Sequence, residues 1–322
     1  MPWVTAKFEF TLPFKIRMLG ENACRPCTFQ LREDRVVVHP PARLDERDGK
    51  PCRFADWHPA DSVDGISIWL ADTVLIDVTS EVKAYALTEE DVDNFISIAR
   101  EFLAKLLQTC RWRTGQAWIH ADDWSGSHSV HYFDEAGNQI RDGLAKRTGV
   151  IVVNRTPGLP NLDSTVWDTV CQALASEAVP ELWEELLLDA VDALPSHPGK
   201  AVIDAGAACE VFIKSFCNKL ADALGADEDV YKELTAQHRP FPEYFHVVLR
   251  YLVKRSLKVD NLDVYKEIDH LYLTVNSVRH AGRCEYKGGK REVIGVGSKE
   301  VREMINAARS AIEWASSLQN ES

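Results

Sequence analysis

Phe8, Phe10, Leu12, Phe14 and Ile16 alternate with polar neighbours, the period-two pattern of a strand with one buried face. Val36, Val37 and Val38 form a short apolar run, and residues 66–85 are rich in Ile, Val, Thr, Trp and Tyr, so both stretches predict further strands. The intervening segments PPARLDERDGKPCRF and ADWHPADSVDG are heavy in Pro, Asp and Gly and predict loops. The period then changes. Thr88 is placed to cap a helix, with Glu89, Glu90 and Asp91 in its first turn, where the dipole favours acids. Phe95, Ile98, Ala99, Phe102, Leu103, Leu106 and Leu107 recur at three and four, which predicts one helix over 88–110. Strands return at Val130–Phe133 and Gln139–Leu144, on either side of the turn signal Glu-Ala-Gly-Asn, and again in GVIVVNR. One helix among several strands predicts an α+β domain over residues 1–160.

TPGLPNLD, residues 156–163, has the composition of a linker. Beyond it the pattern is helical, predicting helices over 163–176, 180–194, 200–224, 227–236, 242–257, 261–279 and 298–318. Pro180, Pro195, Pro198, Gly225, Pro240, Pro242 and a run of glycines from Gly282 to Gly297 separate them. The expected organisation is an α+β domain at 1–160 followed by an all-α bundle at 161–322, with its core from about 179.

Composition narrows the setting. Hydrophobic residues are 45% and charged residues 27% of 322, a globular balance with room for two domains. No run of 18 apolar residues occurs, so no membrane helix is expected. The N-terminus lacks the apolar core of a signal peptide, and a cytoplasmic chain is expected. The 8 cysteines are scattered, the usage of a reducing compartment in which cysteine serves as a small buried hydrophobe. A net charge of −12 repels nucleic acid on average, so any RNA contact must come from a local basic patch.

Two features of the helical half carry the most information. One is a helix with small residues Ala201, Ala205, Gly206, Ala207 and Ala208 ahead of Glu210; small residues let helices approach closely. The other is HLYLTVNSVRHAG, residues 270–282, in which Asn276 and His280 lie four apart on one helix face. Residues 179–322 resemble the HEPN superfamily of RNA-directed nuclease and binding domains, whose signature is Arg-Asn, three variable residues, then His. Asn276 and His280 match that signature; Val275 stands where the arginine belongs.

The resemblance implies an all-helical bundle, a homodimer through the helical domain with a composite site, and metal-independent RNA cleavage without a cofactor. His280 would move protons and an arginine would counter the charge developing on phosphate. With Val275 at the arginine position, a degenerate domain that binds or dimerises is expected, in a bacterial defence or toxin-antitoxin-type setting. Arg279, about 100° round the helix from His280, is the nearest replacement cation. Restoring the residue by Val275→Arg is expected to re-create the signature on one face. Two rival readings are an active RNase using His280, and an interaction scaffold that binds a partner protein and no RNA. Arg283, Lys287, Lys290 and Arg291 follow the motif closely and form a candidate phosphate-contacting patch, or else a solvated loop.

Weaker constellations remain. Cys24-Arg-Pro-Cys27, with Cys52 and His58, offers four zinc ligands, but the second pair has the wrong spacing, and two cysteines flanking a turn is the plainer reading. His120, Asp122, Asp123, His128 and His131 are dense enough to bind a metal, although strand-loop-strand polar faces give the same density. No metal and no cofactor is expected.

Overall fold

In a computed structural model of the chain, the residues described are 3–19, 24–31, 33–41, 61–63, 66–82, 87–120, 128–142, 162–235, 239–287 and 293–321. They form two compact units, Met1–Val179 and Pro180–Ser322.

The first unit is an antiparallel sheet with helices on one face. Its strands are β1 (Trp3–Leu19), β2 (Cys27–Leu31), β3 (Asp34–Val38), β4 (Asp61–Val63), β5 (Ile66–Glu81), β6 (His128–Phe133) and β7 (Gln139–Asp142). They pair in the order β2-β3-β5-β1-β6-β7, with β4 against β5. The alternation read from the sequence sorts the faces: Val4, Ala6, Phe8, Phe10 and Leu12 of β1 are buried, while Thr5, Lys7, Glu9 and Thr11 are not. The register with β5 slips between Thr11 and Ile16. Pro13, which has no N–H to donate, falls in that interruption.

Helix α1 (Glu89–Thr114) covers the buried face with Phe95, Ile98, Ala99, Phe102, Leu103, Leu106 and Leu107. Thr88 caps it as expected: its hydroxyl accepts from the Asp91 N–H, and the Asp91 carboxylate accepts from the Thr88 N–H in return. The turn from β6 to β7 runs through Gly137, whose φ of +80° is a conformation that favours glycine. The expected strand GVIVVNR lies outside the described residues.

Helix α2 (Ser164–Ala175) belongs to this unit, although the linker composition at 156–163 groups it with the helices that follow. Three contacts explain its place. Trp167 is fully buried and donates its Nε1–H to the Arg25 carbonyl at 2.7 Å. Leu162 bridges to Met18 of β1. Cys171 forms a disulfide with Cys27 of β2, with the Cα atoms 6.1 Å apart. The disulfide corrects the reading of the cysteines as unpaired thiols. Cys24, Cys110, Cys209, Cys217 and Cys284 are free, and burial pushes the thiols of Cys110 and Cys217 up to about 12.

The second unit is helical, built round α4 (Pro198–Leu224). Its other helices are α3 (Leu182–Ala193), α5 (Glu228–Leu234), α6 (Phe241–Glu243), α7 (Leu249–Val253), α8 (Leu257–Asp260), α9 (Leu262–Ala281) and α10 (Ser298–Ser317). One core joins Ala201, Ala205, Phe212, Ile213 and Phe216 of α4 to Ile268, Leu271 and Val275 of α9 and to Val301, Met304, Ile305 and Ile312 of α10. Two local differences from the expected pattern matter below. The helix expected over 242–257 contains a π-helical turn, Tyr244–Val248, and stops at Val253. Lys254 there adopts φ +62°, a left-handed stop that no glycine or proline announces. Residues after α9 are not wholly a loop: β8 (Glu285–Lys287) and β9 (Val293–Gly295) form a two-stranded antiparallel hairpin. No helix among the described residues is long and apolar enough to cross a membrane.

Candidate functional site

Helix α9 positions the motif. Asn261 caps its first turn by accepting from the Val264 N–H, and Gly282 ends it at φ +64°. Ile268, Leu271, Val275 and Val278 face the core, at the three- and four-residue spacing of a buried stripe. Val275 is 3% exposed. Opposite it on α4 is Gly206, where an added Cβ would stand 2.5 Å from Val275 Cγ2. Two turns back along α4, Gly199 faces Val278 at 3.6 Å by the same measure. The small-residue stripe of α4 therefore receives α9 of the same chain, with Ala201, Ala205, Gly206 and Ala208 buried inside the unit. The stripe is not a surface left open for a second copy, and a dimer would need another face.

Asn276 and His280 are about 40° apart round α9 and about 100° or more from Val275. Asn276 is half-buried, while Arg279 and His280 are exposed. Neither Asn276, Arg279 nor His280 forms a hydrogen bond or ion pair with a described residue. The arginine position of the signature thus points into the core, and the asparagine and histidine positions point away from it.

The hairpin runs back along α9 from the Gly282 cap. Tyr286 of β8 stacks on His270, ring centroids 4.5 Å apart and planes within 20°. His270 is in turn 3.3 Å from the Glu267 carboxylate. Burial raises the Tyr286 phenol, with Glu267 and Glu300 acting in the same sense. Lys287 is exposed, as is Arg283 just beyond the Gly282 cap. Arg279, His280 and Arg283 are thus exposed at the C-terminal end of α9, and Lys287 is exposed further back along the helix, next to the Tyr286–His270 stack. Lys290 and Arg291, the remaining cations of the expected patch, lie outside the described residues.

Comparison with protein-family models, curated proteins and solved structures gives no match to this chain. The resemblance to HEPN proteins rests on the sequence alone, on the small residues ahead of Glu210 and on Asn276 and His280.

The other candidate sites do not assemble. Cys27 is bonded to Cys171, which removes a thiolate from the zinc set weighed as an alternative, and Cys52 and His58 lie outside the described residues. His128 and His131 are three apart on β6 and point to opposite faces. His128 tilts against Phe10 at 5.9 Å, while exposed His131 reaches Gln139 at 3.3 Å. Asp122 and Asp123 lie outside the described residues. Among the described residues no group of three His, Cys, Asp or Glu is placed to hold a metal ion. The position of Val275 was open to sequence reasoning, since it keeps step with Ile268, Leu271 and Val278. A motif match weighs residue identity and ignores that periodicity.

Proposed function

We propose that the helical unit is a HEPN-like module that binds RNA without cutting it, acting as a component of a bacterial defence or toxin-antitoxin-type system. The observation that carries this reading is the burial of Val275 against Gly206. The residue where the signature has its arginine is a core residue, so the half-buried Asn276 and exposed His280 have no cation beside them at that place. Losing a donor that stabilises transition-state charge typically costs about 100- to 1,000-fold in rate. The exposed cations Arg279, Arg283 and Lys287 retain what binding a phosphate backbone requires.

Two measurements on the full chain test the reading. Single-stranded RNA incubated with the protein and a chelator should remain intact, with no difference between wild type and His280→Ala. Affinity for a labelled oligonucleotide should fall with salt, and more weakly so in Arg279→Gln/Arg283→Gln/Lys287→Gln. Chelator-resistant cleavage that His280→Ala abolishes would overturn the non-cleaving reading and make Arg279 the working cation. Self-association with no RNA affinity at any salt would replace it with the scaffold.

A further inference from the structure

Arg250, Lys254, Arg255 and Lys258 fall within nine residues, and no Asp or Glu stands between Glu243 and Asp260. Acids outnumber Lys and Arg 49 to 37 over the chain, so this acid-free stretch runs against composition. It also differs from other helix surfaces of the unit, where lysines are tied to carboxylates one turn away: Lys200 to Asp204, Lys214 to Glu210 and Lys232 to Glu228. Arg255 is tied likewise, to Asp260 at 2.8 Å. Arg250, Lys254 and Lys258 are exposed, and none forms an ion pair with a described carboxylate.

Aromatic rings lie under two of the three. Lys254 Nζ is 5.7 Å from the Tyr251 ring centroid, and Lys258 Nζ is 5.4 Å from that of Tyr265. The Tyr265 ring also meets His246 edge-on at 5.8 Å, and His246 Nδ1 is 2.7 Å from the Ser256 hydroxyl. His246 belongs to the π-helical turn, an irregularity often found at functional positions. Burial and then Lys258 and Arg250 hold its imidazole below the ordinary value, so both cations bear on the same spot.

We infer that Arg250, Lys254 and Lys258, with Tyr251 and Tyr265, form a second surface for the phosphate backbone of single-stranded nucleic acid, at the opposite end of α9 from His280. Cations with no carboxylate partner need lose none before they meet a phosphate, Lys254 giving up only its 3.0 Å donation to the Tyr251 carbonyl, and each contact releases counterions. Half-buried tyrosines between them provide faces on which bases can stack. The exposed apolar neighbours Val259 and Leu262, 72% and 47% exposed, do not make this a lipid site. Interfacial binding needs an extended apolar helix face, and α8 has only 4 residues. At 1.5 Å per residue, Tyr265 under Lys258 and Arg279 lie about 21 Å apart along α9, whereas Lys287 follows Tyr286, which stacks on His270 only about 8 Å along the helix from Tyr265. The two cation groups share a class of ligand but no residue, and at the separation of Arg279 from Lys258 substitutions act independently.

The test is fluorescence anisotropy of the full chain with a labelled oligouridine of about 20 nucleotides, between about 50 and 300 mM salt. The variant is Arg250→Gln/Lys254→Asn/Lys258→Gln, with Asn chosen because it tolerates the left-handed conformation of Lys254. Each phosphate contact to a single strand contributes about 0.7 to the slope of log affinity against log salt, so the slope should fall by about 2. Arg250→Gln and Lys258→Gln singly should each remove about 0.7, which keeps the test decisive if the triple variant loses helicity. Arg250→Lys/Lys258→Arg should keep the wild-type slope. If the triple and single variants bind as wild type does while Arg279→Gln/Arg283→Gln/Lys287→Gln weakens binding, this inference falls and the proposed function stands. The reverse pattern leaves this surface and removes the other. Loss of binding to phosphatidylserine vesicles with unchanged RNA affinity would overturn the inference in favour of a lipid site, and a wild type that binds no RNA would overturn both.

Discussion

The Cγ2 methyl of Val275 fills the place beside Gly206 that a side chain would need, 2.5 Å from an added Cβ. Gly206→Ala should therefore destabilise the helical unit. Overpacking costs about 1–3 kcal/mol, against a gain of about 1 kcal/mol in helix propensity. Val275→Ala opens the space, so the double variant should lose less than the two single losses added together. Urea unfolding of the four proteins measures the coupling; strict additivity would mean that the two side chains do not meet.

Val275→Arg, which the motif alone recommends as a repair, should instead unfold the helical unit. A guanidinium at a position 3% exposed is a buried charge with no carboxylate partner there, a loss of about 3–5 kcal/mol or more. The expected result is a lowered melting temperature or insoluble protein, with no gain of RNase activity. A folded and stable Val275→Arg would show that α9 can turn its arginine position outward.

Reduction should separate two cysteines from the rest. Two more thiols should alkylate after reduction than before, and peptide mapping should identify them as Cys27 and Cys171. The bond closes a separation of 144 residues, and removing it by Cys27→Ala/Cys171→Ala should cost about 2–5 kcal/mol in the sheet unit. Equal thiol counts before and after reduction would show that the pair is not formed.

Acid should weaken the helical unit through His246. Burial, Lys258 and Arg250 hold the folded imidazole below its ordinary value of 6.5, with Glu243 opposing them. The unfolded chain then takes up the proton more readily, so stability falls as pH drops through that value and is unaffected above it. His246→Gln keeps a polar partner for Ser256 and should flatten the change in unfolding midpoint between about pH 7.5 and 5. An unchanged pH profile would mean that another group carries it.

Local signals read well in this sequence because they depend on neighbours. The periodicity of Phe95 to Leu107 gave α1, and Thr88 with Asp91 marked its start. The breaks at Pro195, Pro198 and Gly225 bracketed α4. What was illegible depends on distant partners. Nothing local ties Cys27 to Cys171 or Trp167 to Arg25, so α2 was grouped with the helices after it by the stronger punctuation at 156–163. The small residues from Ala201 to Ala208 announced a close helix approach without saying whose helix. Lys254 turned the chain left-handed with neither glycine nor proline to mark it. The unpaired state of Arg250 and Lys258 was likewise hidden, because finding a carboxylate nearby is a matter of space as well as sequence.

The bond from Cys27 to Cys171 also sets how the chain responds to proteases. A single cut anywhere between those residues leaves both pieces covalently joined, so it nicks the protein without shortening it until a reductant is added. The same cut after Cys171 releases a fragment at once. Limited digestion run with and without reductant would thus distinguish cuts inside the closed loop from cuts on the way to the helical unit.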